Sequence, residues 1–90
     1  MGPAAPGLAV YTREGCHLCE EMIAELAAWL EGRDLAVSIL DVDADPAARS
    51  RFGLMVPVLT VDGHPVCSGR FDPDVLEDLI ERAGPGAPQV

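Results

Sequence analysis

The chain has 90 residues, enough for one small domain with a single hydrophobic core. Its formal net charge is −9 and all six basic residues are arginines, which argues against nucleic acid and anionic membrane surfaces as partners. No stretch approaches the ~20 apolar residues of a membrane span. The first residues lack the basic and apolar regions of a secretion signal, so we expect a cytoplasmic protein.

Both ends of the chain are rich in proline, glycine and alanine and show no periodicity. We therefore predict flexible tails over residues 1–7 and 84–90. The sequence contains no internal repeat, so residues 8–83 are expected to form one folded domain.

A strand and a helix are predicted on either side of a Cys-x-x-Cys motif. Apolar residues indicate a strand over Leu8–Thr12, and a helical pattern runs from about Cys16 to Glu31, where Gly32 is a natural stop. The predicted apolar face of this helix consists of Leu18, Met22, Ile23, Leu26, Trp29 and Leu30.

The position of the two cysteines predicts reversible thiol–disulfide chemistry. Cys16 and Cys19 lie at a helix start, where unpaired N–H groups and the helix dipole favour the reactive thiolate. Two intervening residues place the sulfurs about one helical turn apart, close enough to form a disulfide. Cys67, the third cysteine, is predicted to be a buried apolar filler.

A second strand is predicted over residues 35–40, which are mostly apolar with little alternation. Such a run is typical of a strand covered on both faces, in a parallel sheet with helices above and below. The path from the first strand through the helix to this strand indicates a right-handed βαβ unit.

Two further helices are predicted to begin at Asp-Pro pairs, with the aspartate as N-cap and the proline as first helical residue. The first follows Asp45 and runs from Pro46 to Phe52, and the second follows Asp72. The second helix is predicted to place Val75, Leu76, Leu79, Ile80 and Ala83 on one face.

A β-hairpin is predicted between these two helices. Its strands are Pro57–Val61 and His64–Cys67, joined by the two-residue turn Asp62-Gly63. Pro65 has no backbone N–H, so the second strand should lie at a sheet edge. The order of elements is βαβαββα, which predicts an α/β domain with a four-stranded mixed sheet and helices on both faces.

These elements resemble the thioredoxin fold, and their details resemble its glutaredoxin branch. Tyr11-Thr12-Arg13 stands where glutaredoxins carry Tyr-Ser-Lys, and Met55-Val56-Pro57 stands where they carry Thr-Val-Pro with a cis proline. Ser68-Gly69 stands where they carry Gly-Gly. The chain is most similar to small bacterial glutaredoxin-like proteins with a Cys-x-Leu-Cys site, and the resemblance covers about residues 8–83.

The resemblance implies a redox site without a metal ligand. Cys16 is the expected nucleophile and Cys19 the expected resolving thiol, and a protonated His17 would favour the thiolate of Cys16. Ser68, Gly69 and Asp72 resemble the site for a glutathione carboxylate. The residues expected to contact substrate or glutathione are Arg13, His17, Leu18, Val56, Pro57, Ser68, Gly69 and Asp72.

The leading interpretation is a thiol–disulfide oxidoreductase, acting as a monomer or weak dimer without a bound cofactor. Its substrate would be a disulfide-containing protein or a glutathione mixed disulfide, and glutathione or a reductase would reset the pair. One alternative is a non-catalytic thioredoxin-fold binding module, because Leu18 replaces the family's aromatic residue. Another is an iron–sulfur or metal-binding relative, in which Cys16, Cys19 and His17 would supply ligands.

Overall fold

The computed structural model describes residues 7–83, with side chains to residue 81. The predicted tails therefore lie outside the described residues, apart from Gly7. The helices and strands are β1 (Leu8–Thr12), α1 (His17–Leu30), β2 (Val37–Asp41), a 3-10 turn (Val42–Ala44), α2 (Pro46–Phe52), β3 (Val58–Val61), β4 (His64–Ser68) and α3 (Pro73–Ala83). The predicted βαβαββα order is confirmed, and the 3-10 turn is an addition. None of the described helices is long and apolar enough to cross a membrane.

The four strands form one mixed sheet in the order β2-β1-β3-β4. β1 is parallel to β2 and antiparallel to β3, and β3 is antiparallel to β4. The ladder between β3 and β4 is irregular between Leu59 and Thr60, and Thr60 lies opposite Pro65. Pro65 therefore lies on an edge strand, as predicted.

The turn between β3 and β4 also holds the start of the described chain. Asp62 and Gly63 have φ values of 51° and 85°, the left-handed conformations that a tight two-residue hairpin turn requires. Gly7 donates its N–H to the Asp62 carboxylate at 2.8 Å and accepts the Asp62 N–H at 2.8 Å. These hydrogen bonds fix Gly7 beside the hairpin.

The sheet is covered on both faces, because alternate residues of a strand point to opposite sides. On one face, α1 and α3 pack against the sheet and bury Leu8, Val10, Met22, Leu26, Leu59, Leu76 and Ile80. On the other face, α2 packs through Ala48 and Phe52 against Val58, with Tyr11 alongside. The prediction of a sheet with helices on both faces is confirmed.

The interpretation of residues 35–40 as a strand covered on both faces is wrong. Among the described strands, β2 lies at the edge of the sheet and pairs with β1 alone. Ile39 is 47% exposed and Leu40 is also exposed, while Val37 packs partly against the core formed with α1. The short helix α2 packs against Val42 of the 3-10 turn, Val58 of β3 and Tyr11 of β1, and no residue of β2 belongs to this cluster.

Val75 was predicted to lie on the apolar face of α3, but its side chain is exposed. Leu76 and Ile80, four residues apart, form the buried stripe of α3. Val75 is one residue from Leu76, about 100° around the helix, and so lies at the edge of this stripe.

Trp29 joins α1 to α3 and to the loop that precedes α3. Its ring packs edge-on against Phe71 with centroids 6.5 Å apart, and its Nε1–H donates to the Glu77 carboxylate at 3.2 Å. The Arg33 guanidinium lies 3.8 Å from the centre of the indole and also binds Glu77. The indole is thus fixed on two sides by charged partners.

Candidate active site

The loop between β1 and α1 ends at Cys16. Gly15 has a φ of +76°, a left-handed conformation that glycine adopts without strain, and the Cys16 N–H donates to the Arg13 carbonyl at 3.2 Å. Cys16 is the N-cap of α1, and its sulfur accepts the backbone N–H of Cys19 at 3.1 Å. The start of the helix therefore directs a hydrogen-bond donor at this sulfur.

Cys16 and Cys19 form a disulfide, with their Cα atoms 5.2 Å apart. Cys16 is half-buried, whereas Cys19 is 2% exposed, so an approaching substrate has access to Cys16 alone. In the reduced state, the Cys19 N–H and the positive end of the α1 dipole would stabilise a thiolate at Cys16. The arrangement suits attack by Cys16 and internal resolution by Cys19.

The loop before β3 contains a cis peptide bond between Val56 and Pro57. Two hydrogen bonds fix this loop to the end of β4. The Ser68 hydroxyl donates to the Met55 carbonyl at 2.8 Å, and the Gly69 N–H donates to the Pro57 carbonyl at 2.8 Å. Ser68 and Gly69 thus position the Val56–Pro57 segment.

Arg13 is held by groups of the protein itself. Its Nε and Nη2 donate to the two carboxylate oxygens of Asp43 at 2.8 and 2.9 Å, and its Nη1 donates to the Gly53 carbonyl at 2.8 Å. The paired guanidinium holds the pKa of the Asp43 carboxyl below its ordinary value. Arg13 therefore links the β1–α1 loop to the 3-10 turn and to the end of α2.

We expect the Asp43→Asn variant to lose stability in a pH-dependent way. The pKa of Asp43 is lower in the folded than in the unfolded state. Its contribution to stability is therefore complete above the unfolded-state pKa of about 3.9 and disappears as pH falls through the folded-state pKa. The stability gap to the native protein should be constant from pH 7 to about pH 5 and shrink below about pH 4, measured by urea unfolding. An Asp34→Asn control should show no such gap, and an equal gap for both would contradict the pairing.

His17 and Leu18, between the two cysteines, both face outward. The His17 Nε2 lies 2.7 Å from the Glu21 carboxylate, one turn further along α1. Leu18 is 50% exposed, so its assignment to the buried face of the helix is wrong. It occupies the first turn, beyond the region where Met22 and Leu26 pack against the sheet.

A groove of about 730 Å³ opens beside Leu18. Leu18, Met22 and Glu25 of α1 form one wall, and Gly69, Arg70 and Phe71 of the loop after β4 form the other. Glu25 and Phe71 were not among the predicted site residues. The helical spacing of Leu18, Met22 and Glu25 (i, i+4, i+7) is the signal that could have indicated Glu25.

Asp72 acts as the N-cap of α3. Its Oδ1 accepts the N–H groups of Asp74 and Val75 at 3.1 and 3.4 Å. The polar side chains predicted to contact glutathione or substrate are thus all engaged within the protein: Arg13, His17, Ser68 and Asp72. The partners of Arg13 and Ser68, which are Asp43 and the Met55 carbonyl, carry no local sequence signal because they are distant in the chain.

Cys67 is a free, buried cysteine, as predicted. Burial raises the pKa of its thiol, which keeps it in the less reactive neutral form. Its Sγ lies 3.9 Å from the Asp72 carbonyl. No group of three or more His, Cys, Asp or Glu side chains in the described part of the chain is arranged to hold a metal ion.

Comparison with known proteins places this site in a family. The chain matches the family described as "Glutaredoxin-like domain (DUF836)" over residues 7–81. It is 34% identical to the uncharacterized protein Rv0508 of Mycobacterium tuberculosis, over 92% of this chain and 91% of that protein.

Solved structures show the same fold. Protein Ne2328 of Nitrosomonas europaea superimposes with a TM-score of 0.75 at 31% identity, covering 88% of this chain and 95% of its own. A thioredoxin variant from Halobacterium salinarum superimposes with a TM-score of 0.62 at 34% identity, covering 93% and 79%. The fold is thioredoxin-like, and the chain belongs to the glutaredoxin-like domain family.

Proposed function

We propose that this protein is a thiol–disulfide oxidoreductase, with Cys16 as nucleophile and Cys19 as resolving thiol. The observation that carries the proposal is the pair itself: a half-buried Cys16 whose sulfur accepts an N–H at the start of α1, beside a buried Cys19. Membership of the glutaredoxin-like family and similarity to a thioredoxin support the same chemistry.

The reaction begins with both cysteines reduced. The Cys16 thiolate attacks one sulfur of the substrate disulfide, whose S–S bond breaks; the other substrate sulfur leaves as a thiolate and takes a proton from water. The Cys19 thiolate then attacks Cys16 in the mixed disulfide and releases the second substrate sulfur. Two electrons have passed to the substrate, and Cys16 and Cys19 are joined as a disulfide.

A cellular reductant must then return the pair to thiols. Glutathione or a protein reductase would supply the two electrons, and no resident cofactor is needed. We propose the cytoplasm as the location, because thiol pairs are kept reduced there. Substrate contact would come from Leu18 and from the backbone of Val56, beside the cis peptide bond.

The test is the reactivity of Cys16 against pH, measured on the reduced protein by iodoacetamide alkylation with mass-spectrometric assignment. We expect Cys16 to react first, with an apparent pKa below the ~8.5 of a free cysteine. The alkylated protein should no longer reduce a small disulfide. Full activity after complete modification of Cys16 would disprove the proposal, and ordinary reactivity without turnover would favour the binding module.

A further inference from the structure

The carboxylates near the disulfide are exposed, and most of them have no positively charged partner. Glu14 lies in the loop before Cys16 and Glu20 in the first turn of α1, and both side chains are exposed. Neither has an ion-pair partner among the described residues 7–81. Arg13 does not offset their charge, because its own charge is paired with Asp43.

The groove next to the disulfide combines apolar and acidic surface. Leu18 is exposed and Phe71 is partly exposed, so both present apolar surface, while Glu25 adds a carboxylate on the α1 side. Arg70 lies on the opposite wall and has no ion-pair partner among the described side chains. Its single positive charge is outnumbered by the carboxylates of Glu21 and Glu25, which line the same groove.

Apart from Arg70, the polar groups near the site that could hold an anionic ligand are occupied. Arg13 is bound to Asp43 and Gly53, and the Ser68 hydroxyl is bound to the Met55 carbonyl. The first N–H groups of α3, a natural site for a carboxylate, already bind Asp72. A glutathione carboxylate would have to displace these partners or bind to Arg70 alone.

We propose, on the basis of the oxidoreductase function above, that the substrate disulfide belongs to a protein segment carrying apolar and basic residues. The apolar side chains would contact Leu18 and Phe71, and the basic ones would approach Glu21 and Glu25, which line the same groove. The site would correspondingly disfavour glutathione disulfide, which bears a net negative charge. Charge complementarity of this kind acts mainly on the rate of encounter and weakens with salt.

The test uses three cyclic peptide disulfides of identical length and apolar content, in which the residues flanking the cysteines are arginine, glutamine or glutamate. The reduced protein is mixed with each peptide, and with glutathione disulfide, in single-turnover reactions at about 20 mM and about 300 mM salt. We expect the arginine peptide to be reduced at least about tenfold faster than the glutamate peptide at low salt, with a smaller ratio at high salt.

Two double variants connect this preference to the site. Glu21→Gln with Glu25→Gln removes the two carboxylates that line the groove, and should reduce the arginine-to-glutamate rate ratio by about threefold or more. Glu31→Gln with Glu81→Gln removes the same charge elsewhere. Glu31 is about 18 Å along the helix from Cys19, against about 3 Å for Glu21 and about 9 Å for Glu25, so this control should change the ratio much less.

The outcomes separate this inference from the proposed function. Equal rates for all three peptides, or glutathione disulfide reduced as fast as the arginine peptide, would overturn the charge preference and leave the oxidoreductase proposal intact. An equal change in rate ratio for both double variants would overturn the role of Glu21 and Glu25. A fully reduced protein that reduces none of the disulfides would overturn both proposals.

Discussion

Replacing Cys16 with serine is expected to slow disulfide reduction by at least about a thousandfold, because a hydroxyl does not supply the nucleophile that a thiolate provides. Replacing Cys19 with serine should have a different effect. Cys16 would still attack, but the resulting mixed disulfide would persist because no thiol is placed to resolve it. The rate of substrate reduction and the mass of the unreduced protein measure the two effects.

Cys67→Ala is the matched control for these variants, because it also removes one thiol but lies on β4 with a buried side chain. It should retain the native rate and form no lasting adduct. Equal rates for Cys16→Ser and the native protein would contradict the assignment of the nucleophile. A Cys19→Ser variant that turns over without a detectable adduct would contradict the assignment of the resolving thiol.

Replacing Leu59 with alanine is expected to lower the free energy of unfolding by about 2–5 kcal/mol. Leu59 is 0% exposed and lies on β3, between β1 and β4, in the core shared with α1 and α3. A domain of this size has a total stability of about 5–10 kcal/mol, so the variant should unfold at a much lower denaturant concentration. Chemical denaturation of the oxidised protein followed by circular dichroism measures the change.

Leu54→Ala provides the same chemical change without burial, because Leu54 is fully exposed after α2. Its cost should stay within about 0.5 kcal/mol. Similar losses for the two variants would contradict the packing described for β3. A change in the denaturant slope would instead indicate an altered unfolded or native ensemble.

Most secondary-structure elements were predictable because their signals are local. Asp45 and Asp72 accept N–H groups of the helices that follow them, as their Asp-Pro sequences predicted. The Asp62-Gly63 pair adopts the left-handed conformations that a two-residue hairpin needs. Each of these features depends on a few neighbouring residues, so the sequence contains all the required information.

The position of β2 could not be predicted in this way. An apolar run such as residues 35–40 indicates a strand, but its neighbours depend on how distant segments pair. β3 pairs with β1 on the side opposite β2, which leaves β2 at the edge and Ile39 exposed. The lack of alternation between apolar and polar residues in this segment therefore does not reflect burial of both faces of the strand.

Part of the candidate site was predictable, because its sequence signal is also local. Cys16 and Cys19 form a local motif at a helix start, and both lie where the sequence indicated. The engagement of Arg13 could not be predicted, since Asp43 is 30 residues away in the chain. Resemblance to a family identified the position of Arg13 but not its partner.

The packing of Trp29 gives the protein a built-in optical probe. It is the single tryptophan in the chain, and its ring is enclosed by Phe71, Arg33 and Glu77 at the contact between α1 and α3. About 15 Å of helix separates Trp29 from Cys19, too far for the disulfide to quench its fluorescence by direct contact. A change in emission on reduction would therefore report movement of α1 against α3.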